Sequence, residues 1–258
     1  MTYQAYWSLS KLPFGRPESA DDFFPGRPQR EALARFDYLA HSGQAIGLLV
    51  APRGVGQSTL LRRVAQSVGI GDCAFEIVYS SAKDRSREQL LRQLAQRLGS
   101  QRLGHDPYRK ITERIGASAK AGIRTMWLVD DATPLAAEIA GILLAASPQL
   151  SVVLGSSPER GLAIAAAVGG CALRIDLEPL DLADTARFVR HQLGVVGGSP
   201  AIFTDAAVVR LFEFSEGRIG PLARLAELCL PVAAARKDAN VHVDVVESIQ
   251  YELVPIAA

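Results

Sequence analysis

The sequence predicts an α/β fold, a parallel sheet layered between helices, followed by a smaller all-helical part. Three observations predict it. Short apolar runs alternate with segments of helical period up to Leu177. Those runs are apolar throughout and rich in Val, Ile and Leu, as strands covered on both faces are. After Leu177, four helical segments follow one another with turn signals between them and no convincing strand.

Residues 1–28 mix Tyr3, Tyr6, Trp7, Phe14, Phe23 and Phe24 with Pro13, Pro17, Pro25 and Pro28. They read as an irregular arm that docks its rings on a core. Residues 29–42 place Leu33, Phe36 and Leu39/Ala40 at helical spacing. A strand (Ala45–Val50), a glycine-containing turn and the helix LLRRVAQSV come next. Then follow a strand at Ala74–Tyr79, a helix at Ser86–Leu98 and a strand at Met126–Val129 closed by two aspartates. Leu135–Ala146 reads as a helix, and Ser151–Leu154 and Ala172–Leu177 as strands. The terminal helices are expected at Asp184–Gly194, Asp205–Phe214, Pro221–Ala235 and Asp244–Leu253. The expected division is an arm at 1–25, an α/β part at 26–178 and a helical part at 179–258.

Composition narrows the function classes. In 258 residues, 28 Lys+Arg meet 27 Asp+Glu, a formal net charge of +1, with 48% hydrophobic residues. Disorder needs the opposite balance, and the total charge does not call for nucleic acid. Lys83–Arg124 is locally basic, with eleven Lys/Arg against four Asp/Glu. That segment is either a solvated helical face or a partner surface for acidic protein or nucleic acid. Cys73, Cys171 and Cys229 form no CxxC pair and read as small apolar residues in a reducing compartment. No basic-then-apolar leader opens the chain, and Pro148 breaks the longest uncharged stretch, Ile139–Pro158. A cytoplasmic location without a membrane span is therefore expected. His41, His105, His191 and His242 show no ligand spacing.

The chemistry is expected after the first strand, in Ala51-Pro52-Arg53-Gly54-Val55-Gly56-Gln57-Ser58-Thr59. This resembles the phosphate-binding loop G-x-x-x-x-G-K-[ST]. Backbone amides curl around a polyphosphate and the following helix presents its positive end. Gly54 and Gly56 supply the curl, and Ser58 matches the hydroxyl that binds Mg²⁺. Two positions depart: Ala51 replaces the first glycine and Gln57 the lysine. A neutral amide in place of a charged donor lowers nucleotide affinity about ten- to a hundredfold. Arg53, inside the loop, could replace some of the lost charge.

The strand Met126-Trp127-Leu128-Val129 ends in Asp130-Asp131 and resembles a Walker B motif. Asp130 matches the carboxylate that holds the Mg²⁺ shell. Asp131 stands where the water-orienting glutamate is usual, and is one methylene shorter. Positioning supplies much of phosphoryl-transfer catalysis, so that shortfall is expected to slow hydrolysis.

Beyond these motifs, LPFGRPESADDFFPGRPQREALARF, WLVDDA, VVLGSSPE and LEPLDLADTARFVRHQLGVVGGSPAIFTDAAVVRLFEFSEG carry a wider likeness. Residues of roughly 5–253 resemble the AAA+ ATPase module of the ExeA-type, general secretion pathway protein A, family. Related modules occur in transposition helper ATPases. The resemblance implies a P-loop NTPase core with a C-terminal helical lid, ATP and Mg²⁺ between them, and a partner assembly. It places Ser156 or Ser157 near the first sensor. It also implies a Gly-x-Pro-Arg-x-x-Asn turn whose arginine reaches the γ-phosphate. Aligned on Gly217, the arginine position here is Gly220 and the asparagine position Ala223, with Arg218 displaced by two residues. Arg160 stands where an arginine finger acting in trans is conceivable.

The departures cluster on the terminal phosphate. Expected, therefore, is a nucleotide-binding regulator or scaffold with weak or no hydrolysis. The alternatives are an active ATPase compensated by Arg53 or Arg218, and a DNA-associated helper using the 83–124 segment.

Overall fold

The structure is a computed structural model that describes residues 2–17, 22–67, 70, 72–100, 106–169 and 172–252. His105, Cys171 and Leu253, each named above, lie outside the described residues. The chain divides into two compact units.

The α/β unit comprises Glu31–Pro52 and Gln57–Leu177. Its strands are β1 (Ile46–Val50), β2 (Phe75–Ser81), β3 (Arg124–Asp130), β4 (Leu150–Ser156) and β5 (Leu173–Asp176). They form one sheet in the order β2-β3-β4-β1-β5, and every pairing is parallel. Burial follows position in the sheet. β1 and β4 are buried at every residue, whereas β2 and β5, at the edges, mix buried with part-exposed or exposed positions. Register brings the functional ends together: Val50 pairs with Ser156, and Ser81 with Asp130. The carboxyl ends of β1, β3 and β4 thus form one rim, where parallel sheets place their ligands.

Helices α3 (Gln57–Ala65), α4 (Arg87–Arg97), α5 (Pro107–Lys120), α6 (Pro134–Ala146) and α7 (Pro158–Val168) belong to this unit. Their starts are encoded locally. Ser86 and Gln89 close a capping box on α4. Asp106 and Thr133 cap α5 and α6, with proline in the first turn of each. Periodicity did not anticipate α5 and α7; in α7 the run Ala-Ile-Ala-Ala-Ala-Val blurs the apolar stripe. One core joins Trp127, Leu90, Leu94, Ile111, Ile115 and Leu154. The Trp127 indole N–H reaches the Ser80 hydroxyl at 3.2 Å, so this fully buried ring keeps its polar handle satisfied.

The helical unit comprises Met1–Arg30, Arg53–Gly56 and Glu178–Ala258. Its helices are α1 (Tyr3–Trp7), α8 (Leu182–Val195), α9 (Asp205–Ser215), α10 (Ile219–Arg236) and α11 (Val243–Glu252); helix α2 (Arg27–Ser42) starts in it. The expectation of an irregular arm is corrected by α1, which Thr2 caps. The arm's rings pack on the helical unit. Trp7 and Phe14 share a core with Phe188, Phe203, Leu211 and Leu230. The Trp7 indole donates to the Leu230 carbonyl at 3.0 Å, and the Tyr6 hydroxyl to that of Asp238 at 2.9 Å. Cys229 is fully buried in this core, which pushes its thiol up to about 12.

A tight turn follows α9. Glu216 and Gly217 both take positive φ, +53° and +71°. The Leu180 amide donates to the Gly217 carbonyl at 2.9 Å. A Cβ on Gly217 would stand 1.9 Å from the Leu180 carbonyl oxygen, so glycine is required there.

Candidate functional site

Val50 ends β1, and the loop 51–56 leads straight into α3 at Gln57. The Ala51 amide donates to the Ser156 carbonyl at 3.0 Å, tying the loop's first residue to β4. Gly54 and Gly56 lie at φ +87° and +99°, the left-handed curl expected of a phosphate cradle. Among the described residues the amides of Val55, Gly56 and Gln57 donate to no backbone carbonyl. Unsatisfied first-turn amides give α3 its positive end. The loop therefore fits a polyphosphate. Val55 is buried, Ser58 and Thr59 half-buried, and Arg53 exposed.

Within the helical unit, the Gly54 carbonyl accepts the Gly220 amide at 2.8 Å. A Cβ on Gly54 would meet Pro221 Cδ at 3.1 Å. Gly220 occupies the position where the resemblance implies an arginine. Arg218 is engaged nearby: its Nε donates to the Ser215 carbonyl at 3.2 Å and its Nη2 faces Glu216 at 3.3 Å.

Asp130, 2% exposed, ends β3 in the α/β unit. Its Oδ1 accepts from Gln57 Nε2 at 3.1 Å and from the Asp131 amide at 3.1 Å. Its Oδ2 accepts from the Tyr79 hydroxyl at 2.8 Å. Burial, then donation to Asp130 and that carboxylate's charge, push the Tyr79 hydroxyl up to about 12. Arg62, 5.4 Å from the ring centroid, pulls the other way. The phenol is thus neutral below its ordinary value of 10.0, and its contribution is lost only as pH rises through about 12. Three donors leave the carboxylate about one of its four lone-pair sites. That remaining site lies on a carboxylate only 2% exposed, so as arranged Asp130 is closed to a metal-bound water. Among the described residues no group of three His, Cys, Asp or Glu could hold a metal.

Asp131 sits at φ +49°, a conformation that Asp tolerates better than most residues, and it is half-buried. The next amide, of Ala132, donates to the Gly155 carbonyl at 2.7 Å and pins this turn to β4. Ser156 is buried, and its hydroxyl donates to the Ser157 carbonyl at 2.9 Å. Arg160 is exposed on α7. His41 is exposed with its ring on the Asp37 carbonyl, and His242 is also exposed.

Four of the eleven basic residues of the 83–124 segment are seen in ion pairs among the described residues. Arg87 faces Glu138, Arg92 faces Glu88, Arg109 faces Glu113 and Arg114 faces Glu76, all within 3.2 Å. Arg124 donates to the Ala40 carbonyl and lies over the Phe75 ring.

Two side chains escaped sequence reasoning, Tyr79 and Gln29. Gln29, 2% exposed, has neither Oε1 nor Nε2 hydrogen-bonded. It lies in the helical unit, against the Cβ position of Gly26, which Leu180 Cδ2 also approaches. A buried carboxamide lacking both partners costs about 1–3 kcal/mol per unmet group. Its only sequence signal is its place in PGRPQRE, where nothing marks it as buried.

Known proteins match this arrangement. Residues 40–158 match the AAA domain family. General secretion pathway protein A of Aeromonas hydrophila is 25% identical over 239 residues, covering 83% of this chain and 42% of that protein. The chain thus spans less than half of that relative's length. Among solved structures, the Aeropyrum pernix ORC2 protein in its ADPNP-ADP complexes aligns at TM-score 0.70 and 14% identity, covering 96% of this chain and 73% of that one. Thermotoga maritima RuvB, the Holliday junction branch migration motor, aligns at TM-score 0.56 and 16% identity, covering 93% and 73%. At such identities these structures establish the fold alone. Residues 40–158 thus match an AAA domain, the sequence is similar to general secretion pathway protein A over 239 residues, and the fold is that of the ORC2 and RuvB structures.

Proposed function

We propose that this module binds adenine nucleotide and hydrolyses it slowly or not at all, acting as a nucleotide-dependent regulator or scaffold of a partner assembly. The observation that carries the reading is the Gln57 side chain. In the place of the lysine that would meet the terminal phosphates, it is neutral and turned onto Asp130 at 3.1 Å. The amides of residues 54–59 and the α3 amino end would hold the polyphosphate. With Gly220 at the arginine position and Arg218 paired to Glu216, the γ-phosphate meets few cations. Turnover and calorimetric titration with ATP and ADP test this. Both nucleotides should bind with similar affinity, and turnover should fall well below ~1 per second, near the low end for enzymes. Turnover at or above that rate would favour the compensated ATPase instead. The pairing of Arg87, Arg92, Arg109 and Arg114 gives the DNA-associated reading no added support.

Gln29→Met keeps the length and removes both orphaned groups. Its melting temperature is expected to rise by a few degrees on thermal denaturation; an unchanged or lower value would mean that the carboxamide is not a cost to the fold.

A further inference from the structure

Asp130 is buried and already takes three donors from its own neighbours. Its Oδ1 takes two donors, Gln57 Nε2 and the Asp131 amide, and its Oδ2 takes the Tyr79 hydroxyl at 2.8 Å. Gln57 also has room to hold this posture, because residue 155 is glycine. A Cβ there would stand 2.7 Å from Gln57 Nε2. Tyr79 is fixed in turn. It lies on β2 in register with Leu128 of β3, two residues before Asp130, and Arg62 lies against its ring.

Mg²⁺ keeps most of its waters and engages carboxylates through their oxygens. A metal-bound water would have to displace the phenol from a carboxylate with 2% exposure. We infer that Tyr79 is a positioning residue that closes Asp130 to divalent cations, so that the chain takes its nucleotide metal-free. The inference rests on the nucleotide-binding reading above. The phosphates are then neutralised by the loop amides and the α3 dipole rather than by a bound ion. Tyr79 is the element that decides this, since the Gln57 amide is a weaker, longer contact on the other oxygen.

Titration of the full chain with ADP tests it, once with EDTA and once with excess Mg²⁺. The affinities of the wild type should agree within about threefold. Tyr79→Phe keeps the ring and frees Oδ2. In that variant Mg²⁺ should strengthen ADP binding about tenfold. A second readout uses Mn²⁺ in place of Mg²⁺, followed by electron paramagnetic resonance. The signal of free Mn²⁺ should fall on addition of the Tyr79→Phe protein with ADP beyond what ADP alone causes, and should not do so with the wild type. A wild-type affinity that drops tenfold or more in EDTA would overturn the inference while leaving nucleotide binding intact. Absence of ADP binding in both buffers would overturn the nucleotide reading and this inference together. A wild type that matches in both buffers and a Tyr79→Phe that gains nothing from Mg²⁺ would show that Tyr79 is not the closing element.

Discussion

Gly217→Ala is expected to destabilise the helical unit by about 3–5 kcal/mol, a large part of the roughly 5–15 kcal/mol that holds a domain folded. Two costs combine. The backbone stands at φ +71°, where an L side chain is strained by about 1–2 kcal/mol. The new Cβ would also arrive 1.9 Å from the Leu180 carbonyl oxygen, and the obstacle is backbone, not a pliable side chain. Relief requires the 178–181 segment to move, breaking the 2.9 Å bond from the Leu180 amide to Gly217. The two tryptophans give a convenient readout, since Trp7 lies in the helical unit and Trp127 in the α/β unit. Urea unfolding of the variant should show the Trp7 transition at a much lower midpoint than in the wild type. An unchanged midpoint would mean that the turn relaxes without cost.

Gln57→Lys is expected to strengthen ATP and ADP binding about ten- to a hundredfold, the worth of restoring one charge-assisted contact to phosphate. The glycine at 155 leaves space for the longer side chain. Turnover should not rise in proportion. Asp131 remains one methylene short of a glutamate, and Gly220 cannot supply a cation to the γ-phosphate. Calorimetry and a single-turnover assay on the same protein separate the two effects. A rise in affinity with unchanged hydrolysis supports a module that holds nucleotide without cleaving it. Hydrolysis restored by this one change would show that the remaining machinery is intact, and the scaffold reading would fall.

Much of the fold was legible along the chain. The apolar runs near 45–50, 126–129 and 151–154 could be read as strands because strands buried on both faces leave little choice of residue. Helices α5 and α7 were harder. Their capping signals, Asp106-Pro107 and Ser157-Pro158, are present; α7 is alanine-rich and carries little amphipathic contrast, whereas α5 has an apolar stripe at Ile111 and Ile115 that was passed over. The candidate site was legible only as a list of parts: motif position marks Gly54, Gly56, Gln57, Ser58, Asp130 and Asp131. What those parts do to one another was not. Tyr79 lies fifty-one positions before Asp130, and no local pattern links them.

The sequence by itself determined the layer order, the glycine curl of the loop and the loss of a lysine, because each follows from residue type at short range. Only the tertiary structure decided that Gln57 and Tyr79 turn onto Asp130, that Arg218 is held by Glu216, and that Gln29 is buried without a partner. The reason is physical. A polar group's state depends on which donors and acceptors surround it, and those neighbours are brought in by strand register and helix packing from distant parts of the chain.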